Sequence, residues 1–135
     1  IDIDNFKLLN DNYGHALGDQ VLVLFAETLQ KAARSGDILA RWGGEEFLIF
    51  LPETKLIDAV TIANRLRKKI STIQFITTKG KKLTFTASFG VAHTDNIQIS
   101  LDELICLADQ QLYNAKKLGR NCVHADQSTS EIAIS

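Results

Sequence analysis

Three stretches of the sequence carry apolar residues at steps of three and four, the spacing that gathers them on one face of an α-helix. An amphipathic helix must bury that face, so the three helices need a common surface to pack on. This need constrains the fold more than any other feature of the chain. The apolar positions are Val21, Leu24, Phe25, Leu29 and Ala32 in the first stretch, Leu56, Ala59, Val60, Ala63, Leu66 and Ile70 in the second, and Leu101, Leu104, Ile105, Ala108, Leu112 and Ala115 in the third.

Turn and cap signals bound the first two helices. The first helix is predicted from Asp19 to near Gly36. A brief helical piece precedes it, and the two are separated by a turn region from Gly14 to Gly18. Thr54 is of the residue type that caps helices, and it stands directly before the second stretch.

The third helix has the clearest boundaries. Ser100 and Glu103 have the spacing of a capping box at its start, and Gly119 is a natural end. The residues from 126 to 135 are polar and irregular, which predicts a flexible tail.

Strand-like runs lie between the helices and supply the surface that the helices need. "IDID" alternates isoleucine with Asp2 and Asp4, "DILARW" and "FLIFL" flank a Gly-Gly pair, and "QFITTKGKKLTFTASFGVAH" predicts two strands about Gly80. The order of elements is strand, helix, hairpin, helix, strands, helix. It indicates the α+β class, an α/β sandwich with a central mixed, mainly antiparallel sheet of about five strands flanked by helices.

Composition excludes several classes of protein. The chain has 135 residues, with 45% hydrophobic and 23% charged, as in one ordinary globular domain. Its 15 basic and 16 acidic residues give no bulk charge that would attract nucleic acid or anionic lipid. The start of the sequence lacks the basic stretch and apolar segment typical of a signal peptide, and no apolar run reaches about 18 residues. A cytoplasmic location is therefore predicted, or a cytoplasmic domain if the parent protein is membrane-bound. Cys106 and Cys122 are predicted to be inert thiols. Because the chain opens directly on a strand, we expect a domain cut from a longer protein.

The stretch "RWGGEEF" joins two of the predicted strands. Gly43 and Gly44 predict a tight turn with positive φ values, and their missing side chains leave room for a nucleotide against the backbone. If the strand of Asp2 lies next to this hairpin, Asp2 and Glu45 converge at one edge of the sheet. Two carboxylates and a backbone carbonyl are ligands that Mg²⁺ prefers. The alternative is that the glycines only turn the chain and the glutamates solvate an exposed tip.

Four motifs together resemble one family. "RWGGEEF" resembles the signature of the GGDEF-domain diguanylate cyclases in its GGEEF form, and "DIDNFKLLNDNYGHALGD" is similar to the family's first strand and following segment. "RSGD" lies where the family has its inhibitory-site motif, and "AKKLGRN" matches its closing motif. The resemblance runs from Ile1 to about Val123 and implies a catalytic domain at residues 1–125 with a palm-like fold. The family's preceding helix, with its Asp-x-Leu-Thr segment, is missing from this sequence.

The resemblance implies a reaction and its partners. Two GTP molecules would be condensed into cyclic di-GMP with release of two pyrophosphates, each subunit of a homodimer holding one GTP. Each 3′-hydroxyl would attack the other nucleotide's α-phosphorus, a reaction that needs charge neutralisation and in-line positioning more than a covalent nucleophile. Cyclic di-GMP would also bind as an inhibitor. An upstream sensory or regulatory domain is implied, and neither a nucleic acid polymer nor a membrane is a partner of this domain.

The resemblance also implies a metal site. Asp2 and Glu45 would be carboxylate ligands of Mg²⁺, with Mn²⁺ as the alternative ion, and Ile3 would add its main-chain carbonyl. Glu45 would be the proton acceptor for the 3′-hydroxyl. Glu46 would assist a second metal or only shape the turn, and both alternatives stay open.

Contacts to GTP are implied along the chain. Lys7 would meet the phosphates and stabilise the transition state. Asn10 and Asp19 would read guanine, whose N1–H and N2 donors suit a carboxylate acceptor. Structural alternatives stand beside these roles, for example a solvated lysine or an acid favoured in the first turn of a helix. The further substrate contacts would be His15, Gly44, Lys116 and Arg120.

"RSGD" would form the inhibitory site for cyclic di-GMP through Arg34 and Asp37. An arginine clamps phosphate or stacks on guanine, and an aspartate accepts the donors of guanine. Arg65, on the basic outer face of the second helix with Arg67, would complete the site from a partner subunit, or is simply solvated.

Other functions remain as alternatives. The first is a catalytically silent GGDEF module that binds GTP or cyclic di-GMP as a sensor. The second is a relative of the purine nucleotide cyclases that closes a mononucleotide ring, and the third is a structural or dimerisation domain. The intact signature and the guanine-reading pair favour the diguanylate cyclase.

Overall fold

The computed structural model of the protein describes residues 1–126. Apart from Asp126, the predicted flexible tail lies outside the described residues. Within the described part, no helix is both long and apolar enough to span a bilayer. The elements in chain order are β1 (Asp2–Ile3), α1 (Phe6–Tyr13), α2 (His15–Ala32), β2 (Ile38–Arg41), β3 (Phe47–Phe50), α3 (Leu56–Ser71), β4 (Phe75–Ile76), β5 (Lys82–Leu83), β6 (Ala87–Val91), α4 (Leu101–Lys117) and β7 (Val123–Ala125).

The short strand β1 lies between two other parts of the β-structure. On one side it pairs antiparallel with β6, with Asp2 opposite Ser88. On the other side Asp2 forms an antiparallel bridge with Glu46, at the end of the β2–β3 hairpin. The predicted neighbourhood of the first strand and the hairpin is therefore confirmed.

The pairing confirms the predicted class. Pairs β1–β6, β2–β3 and β4–β5 are antiparallel and β6–β7 is parallel, which makes a mixed and mainly antiparallel α+β fold. The described strands form a three-stranded sheet, β1–β6–β7, and two hairpins. A single sheet of about five strands is therefore not confirmed. The strand β7 was not predicted.

The core lies where the helices meet the strands. Ile3, Val21, Phe25, Leu29 and Ile70 are fully buried. Such close-packed interiors hold each element in a defined position, and burial of this apolar surface is the main driving force of folding.

Helix α4 lies directly on β6 because Gly90 has no side chain. A Cβ atom there would lie 2.2 Å from the carbonyl oxygen of Ala108 and from the amide nitrogen of Leu112. The predicted capping box starts this helix, since Ser100 Oγ accepts a hydrogen bond from the Glu103 amide at 3.1 Å and the Glu103 carboxylate accepts one from the Ser100 amide at 2.9 Å. The close approach brings the last turn of α4 next to β1.

The predicted start of the first helix is wrong. Helix α2 begins at His15, and Gly14, with φ of 90°, makes the turn alone. Gly18 lies inside the helix, where a Cβ atom would be 1.8 Å from Asn10 Oδ1. The glycine allows α1 and α2 to pack closely, which a sequence pattern cannot distinguish from a turn. The helix ends at Ala32, before Gly36.

Two further boundaries differ from prediction. Thr54 does not cap α3, because Lys55 is the N-cap residue and Thr54 Oγ1 donates to the Pro52 carbonyl at 3.0 Å. The run after Gly80 is split into β5 and β6, because β5 pairs with β4 whereas β6 pairs with β1.

Candidate active site

Strand β1 presents Asp2 to the hairpin. The Ile3 amide donates to the Glu45 carbonyl at 3.2 Å, and the Phe47 amide donates to the Ile1 carbonyl at 2.8 Å. These two bonds make Asp2 and Glu46 a non-hydrogen-bonded cross-strand pair, in which opposing side chains lie on the same face and close together. Glu46 is therefore the carboxylate directly opposite Asp2, a relation that the sequence reasoning left open.

Helix α4 adds a cation to these carboxylates. Lys116 Nζ lies 2.9 Å from Oδ1 of Asp2, whose side chain is 8% exposed. The same oxygen is buried and has no hydrogen bond among the described residues, because the lysine contact does not have hydrogen-bond geometry. A buried carboxylate oxygen with a single ionic contact is suited to a further cation.

The glutamates share the electrostatic environment of Asp2. Burial raises the pKa of Glu45 above its ordinary value, the charge of Asp2 raises it further, and Lys116 opposes both. Burial also raises the pKa of Glu46, and the charges of Asp2 and Asp109 act in the same direction. Negative charge is thus crowded at this edge of the sheet.

The predicted metal ligands fit this arrangement. Asp2 is close enough to Glu45 to raise its pKa, and the amide of Ile3 faces the hairpin. In an extended strand the N–H and C=O of one residue point to the same side, so the Ile3 carbonyl faces the hairpin as well. Within residues 1–126 no group of three or more His, Cys, Asp or Glu side chains is placed to hold a metal ion. The predicted set has only two side-chain ligands, the carboxylates of Asp2 and Glu45, beside the Ile3 carbonyl.

The hairpin tip differs from the predicted primed turn. Gly43 and Gly44 are not among the glycines with positive φ. The Trp42 and Gly43 amides both donate to the Glu46 carbonyl, at 2.8 and 3.2 Å, and this longer loop does not need positive φ. The Arg41 guanidinium donates to the Gly43 carbonyl at 3.2 Å and to the Gly44 carbonyl at 2.6 Å, which holds the tip open. No atom lies within 4 Å of a Cβ built on Gly44, so its surface is accessible.

The predicted guanine readers lie on the two packed helices. Asn10 Oδ1, on α1, is buried without a hydrogen-bond partner among the described residues and lies against Gly18. Asp19 follows Gly18 on α2 and is exposed. The structure therefore brings these two residues to one place. His15, the first residue of α2, and Lys7, on α1, are both exposed, and neither forms an ion pair with the carboxylates in the part of the chain that the structure describes.

Arg120 lies in the loop after α4. It has a φ of 65°, its amide donates to the Ala115 carbonyl at 3.1 Å, and its side chain is exposed. Of the two predicted phosphate contacts in the closing motif, Lys116 therefore reaches the carboxylates and Arg120 points to solvent.

"RSGD" folds into a turn of its own. The Arg34 amide donates to Asp37 Oδ2 at 2.8 Å, and the Asp37 amide donates to the Arg34 carbonyl at 3.0 Å. Gly36, with φ of 94°, lies inside this turn. The Asp37 carboxylate thus supports the backbone, while Arg34 is exposed. Arg65 is exposed too, whereas Arg67 is half-buried and contacts Asn121, so the prediction that Arg67 lies on the outer face is wrong.

Two acids near the site were missed as functional candidates. Asp109, on α4, is close enough for its charge to raise the pKa of Glu46. It therefore belongs with Asp2, Glu45 and Glu46 to an acidic cluster. Asp4 is buried and accepts hydrogen bonds from Thr86, Ser88 and the Asn121 amide. The "IDID" alternation had placed Asp4 on the face of Asp2, but it gave no partner for it.

A cavity of about 710 Å³ lies between the β2–β3 hairpin, α3, β6 and α4. Its walls are mainly apolar, and Glu46 and Asp109 are the members of the acidic cluster that line it. Apolar walls do not suit a triphosphate, so the carboxylate cluster, and not this cavity, is the candidate active site.

Known proteins are similar to this chain in sequence and in fold. The family model for "Diguanylate cyclase, GGDEF domain" matches residues 1–122. The chain belongs to the GGDEF family of diguanylate cyclases. The predicted family and fold class are therefore confirmed, and membership supports a role in cyclic di-GMP synthesis.

Individual relatives agree with this assignment. The diguanylate cyclase DgcM of Escherichia coli K12 is 45% identical over 125 residues, which are 93% of this chain and 29% of the relative. The GGDEF domain of DgcB from Caulobacter crescentus, solved with c-di-GMP, has a TM-score of 0.87 and 32% identity, covering 92% of this chain and 73% of the other. The active GGEEF domain of a Vibrio cholerae diguanylate cyclase has a TM-score of 0.81 and 33% identity, covering 92% and 78%. The chain therefore spans under a third of the length of this curated GGDEF relative.

Proposed function

We propose that this GGDEF domain, at residues 1–125, condenses two GTP molecules into cyclic di-GMP and two pyrophosphates. The observation that carries the proposal is the meeting of Asp2, Lys116 and the two glutamates of an intact GGEEF signature at one edge of the sheet. A silent module needs no such crowding of carboxylates around a cation.

The acidic cluster would hold Mg²⁺, or Mn²⁺, through the carboxylates of Asp2 and Glu45 and the carbonyl of Ile3. When bound, the ion supplies charge neutralisation on the phosphates. Glu45 would accept the proton of the 3′-hydroxyl. Burial and the charge of Asp2 raise its pKa, and a carboxylate with a higher pKa is a stronger base. Glu46, directly opposite Asp2, would add to the negative charge that attracts the ion.

The cations would bind the triphosphate. Lys116 lies beside Asp2, and Lys7 and Arg120 extend exposed side chains into solvent, where they are free to meet an anion. A lysine is a compact charge that follows a developing negative charge, and an arginine binds two phosphate oxygens at once. Together they neutralise charge in the transition state, which is the main requirement of phosphoryl transfer.

The guanine base would lie against the α1–α2 pair. Asn10 Oδ1 is a buried acceptor without a hydrogen-bond partner in residues 1–126 and lies against Gly18, and Asp19, which follows Gly18, is exposed. Acceptors at this place suit the N1–H and N2 donors of guanine and not the N1 acceptor of adenine. His15 and Gly44 would border the same nucleotide.

Two copies of the domain would each present one GTP, because each 3′-hydroxyl attacks the other nucleotide. Arg34 and Asp37 would bind cyclic di-GMP as an inhibitor. In a longer protein, a sensory or regulatory domain would control how the two copies meet. This part of the proposal follows from the family and from the greater length of DgcM.

Product analysis tests the proposal. We expect protein extended to include residues upstream of Ile1 to convert GTP with Mg²⁺ into cyclic di-GMP, detected by chromatography. GTP binding without turnover would instead indicate a silent sensor module, and a cyclic mononucleotide would indicate a purine nucleotide cyclase.

Binding measurements test the guanine assignment separately. The unmodified protein should prefer GTP over ATP, and the Asp19→Asn variant should bind GTP more weakly. Equal binding of ATP by the unmodified protein would contradict the guanine assignment.

A further inference from the structure

We infer that Asp4 is a positioning residue that fixes the loop carrying Arg120, and so determines where this arginine meets an anionic ligand. The inference rests on the proposed function only for the identity of that ligand, the phosphates of GTP. The loop contact itself belongs to the structure and is testable without nucleotide.

Asp4 holds the loop from inside the protein. The residue as a whole is 6% exposed. Oδ2 accepts a hydrogen bond from the Asn121 amide at 3.0 Å and from Thr86 Oγ1 at 2.7 Å, and Oδ1 accepts one from Ser88 Oγ at 2.6 Å. Hydrogen bonds to an ionised acceptor are stronger than neutral ones, so a buried carboxylate with three donors is a firm anchor.

The same contacts separate Asp4 from Asp2. Both acids stand on one face of "IDID". Within the described part of the chain, however, Oδ1 of Asp2 has an ionic contact and no hydrogen bond, whereas both oxygens of Asp4 accept hydrogen bonds. Asp4 is therefore not available for a metal, and its role is to hold a neighbouring segment.

The loop needs such an anchor because its backbone is strained. Arg120 and Asn121 are consecutive non-glycine residues with φ of 65° and 46°. Side chains disfavour this left-handed region, and such residues persist where the surrounding structure fixes them. Asn121 is held from both sides, since its amide donates to Asp4 and its Oδ1 accepts from Arg67 Nη1, on α3, at 3.3 Å.

The anchor connects the two halves of the site. Asp4 follows the proposed metal ligands Asp2 and Ile3 directly, and Arg120 precedes Asn121 directly. The hydrogen bond from the Asn121 amide to Asp4 therefore links the position of Arg120, the proposed phosphate contact, to the strand that would hold the metal. Small displacements of a binding group reduce catalysis strongly, so this distance matters.

Amide hydrogen exchange is the first test. In the Asp4→Ala variant of the full chain, we expect the Asn121 amide to exchange at least about 10-fold faster than in the unmodified chain, because its acceptor is lost. The matched control, Thr86→Val, removes a different donor to Asp4 and should leave Asn121 protected. Unchanged exchange at Asn121 in Asp4→Ala would overturn the inference, whether or not the chain binds GTP.

A conservative variant covers the case in which Asp4→Ala does not fold. Asp4→Asn keeps one carbonyl oxygen but loses the charge, so we expect Asn121 to exchange about 3-fold faster than in the unmodified chain. Equal exchange in Asp4→Asn and the unmodified chain would contradict an anchor that depends on the carboxylate.

A double-mutant cycle tests the link to Arg120. In the unmodified background, Arg120→Ala should raise the Kd for GTP with Mg²⁺ by about 10-fold or more, whereas in the Asp4→Ala or Asp4→Asn background it should add about 2-fold or less. Losses that multiply would show that Asp4 does not act through Arg120. If the unmodified protein does not bind GTP at all, the proposed function fails, while hydrogen exchange still decides the role of Asp4.

Discussion

Neighbouring acids in this sequence have different surroundings, and their roles follow from them. Asp2 and Asp4 are both buried. Asp2 contacts a lysine, whereas both oxygens of Asp4 accept hydrogen bonds. Glu45 and Glu46 are adjacent, and Glu46 is the one paired across the strands with Asp2. A sequence pattern gives the face of a residue in a strand, but the alternation stops at a turn. Only the structure could therefore show which of the two glutamates lies opposite Asp2.

The crowded glutamates predict a pH dependence of stability in the absence of metal. Burial and the charge of Asp2 raise the folded-state pKa of both Glu45 and Glu46 above the ordinary 4.5. Above pH 4.5 the folded protein then holds protons that the unfolded chain has released, so stability falls as pH rises and levels off above the raised pKa. In urea unfolding, Glu45→Gln and Glu46→Gln should gain stability relative to the unmodified chain at pH 8, and gain less at pH 4.

The exposed Glu27→Gln serves as the control for this series, because it removes a carboxylate of the same type away from the cluster. A gain that is the same at pH 4 and pH 8 for Glu45→Gln and Glu46→Gln would contradict the proposed crowding.

The ion pair between Lys116 and Asp2 predicts a stability loss that metal reverses. Lys116→Met leaves a carboxylate that is 8% exposed without its cation, which we expect to cost about 1–3 kcal/mol at pH 7. Because Mg²⁺ would then replace the lost lysine charge beside Asp2, its addition should raise the melting temperature of Lys116→Met more than that of the unmodified chain. Lys117→Met is the matched control, since Lys117 is exposed and lies over the Tyr113 ring. Equal effects of the two variants would argue against the contact.

At the scale of elements, helix periodicity was the reliable signal and glycine the ambiguous one. The three amphipathic stripes became α2, α3 and α4, and the Ser100 capping box formed as predicted. Gly18 had suggested a turn but permits close packing, and Gly43 and Gly44 do not have the positive φ that a primed turn needs. A glycine is required for either reason, and only its neighbours in space show which. The parallel strand β7 was missed because its partner β6 is distant in sequence.

Two glycine substitutions should separate binding from stability. In Gly18→Ala the new methyl meets the end of a side chain, Asn10 Oδ1, which can move. We expect a small loss of stability but about 10-fold weaker GTP binding, because a guanine reader is displaced. In Gly90→Ala the methyl meets the backbone of α4, so a loss of about 1–3 kcal/mol or more is expected. Thermal unfolding and GTP titration of both variants check this, and weaker stability in Gly18→Ala than in Gly90→Ala would contradict it.

At the scale of the whole molecule, the position of β1 explains why distant motifs form one site. Because β1 lies between β6 and the hairpin, Asp2 pairs with Glu46 of the hairpin. Helix α4 lies on β6, and its residue Lys116 contacts Asp2. Sequence motifs supplied the candidate members of this site, since their order and spacing matched a family. Their distances depend on packing at Gly90, which no local pattern records.

Regulation also belongs to this scale, because the proposed inhibitory site lies in a separate turn. The Arg34 amide, and not its side chain, holds that turn, so Arg34→Ala should keep the fold. We expect this variant to need at least about 10-fold more cyclic di-GMP to halve synthesis, because the guanidinium clamp on phosphate is lost. Inhibition curves for the product measure this, and an unchanged curve would remove the inhibitory site from the account.

The central claim is that Asp2 belongs to a working nucleotidyl-transfer site. Its most direct test is the rate of cyclic di-GMP formation from GTP and Mg²⁺ in protein that includes the residues upstream of Ile1, compared between Asp2→Asn and Asp11→Asn. Asp2→Asn removes one of the two carboxylates proposed for the metal, whereas Asp11 is an exposed acid on α1. We predict that Asp2→Asn lowers the rate by about 100-fold or more and that Asp11→Asn leaves it unchanged. Cyclic di-GMP formed at similar rates by both variants, or by none of the proteins, would contradict the account.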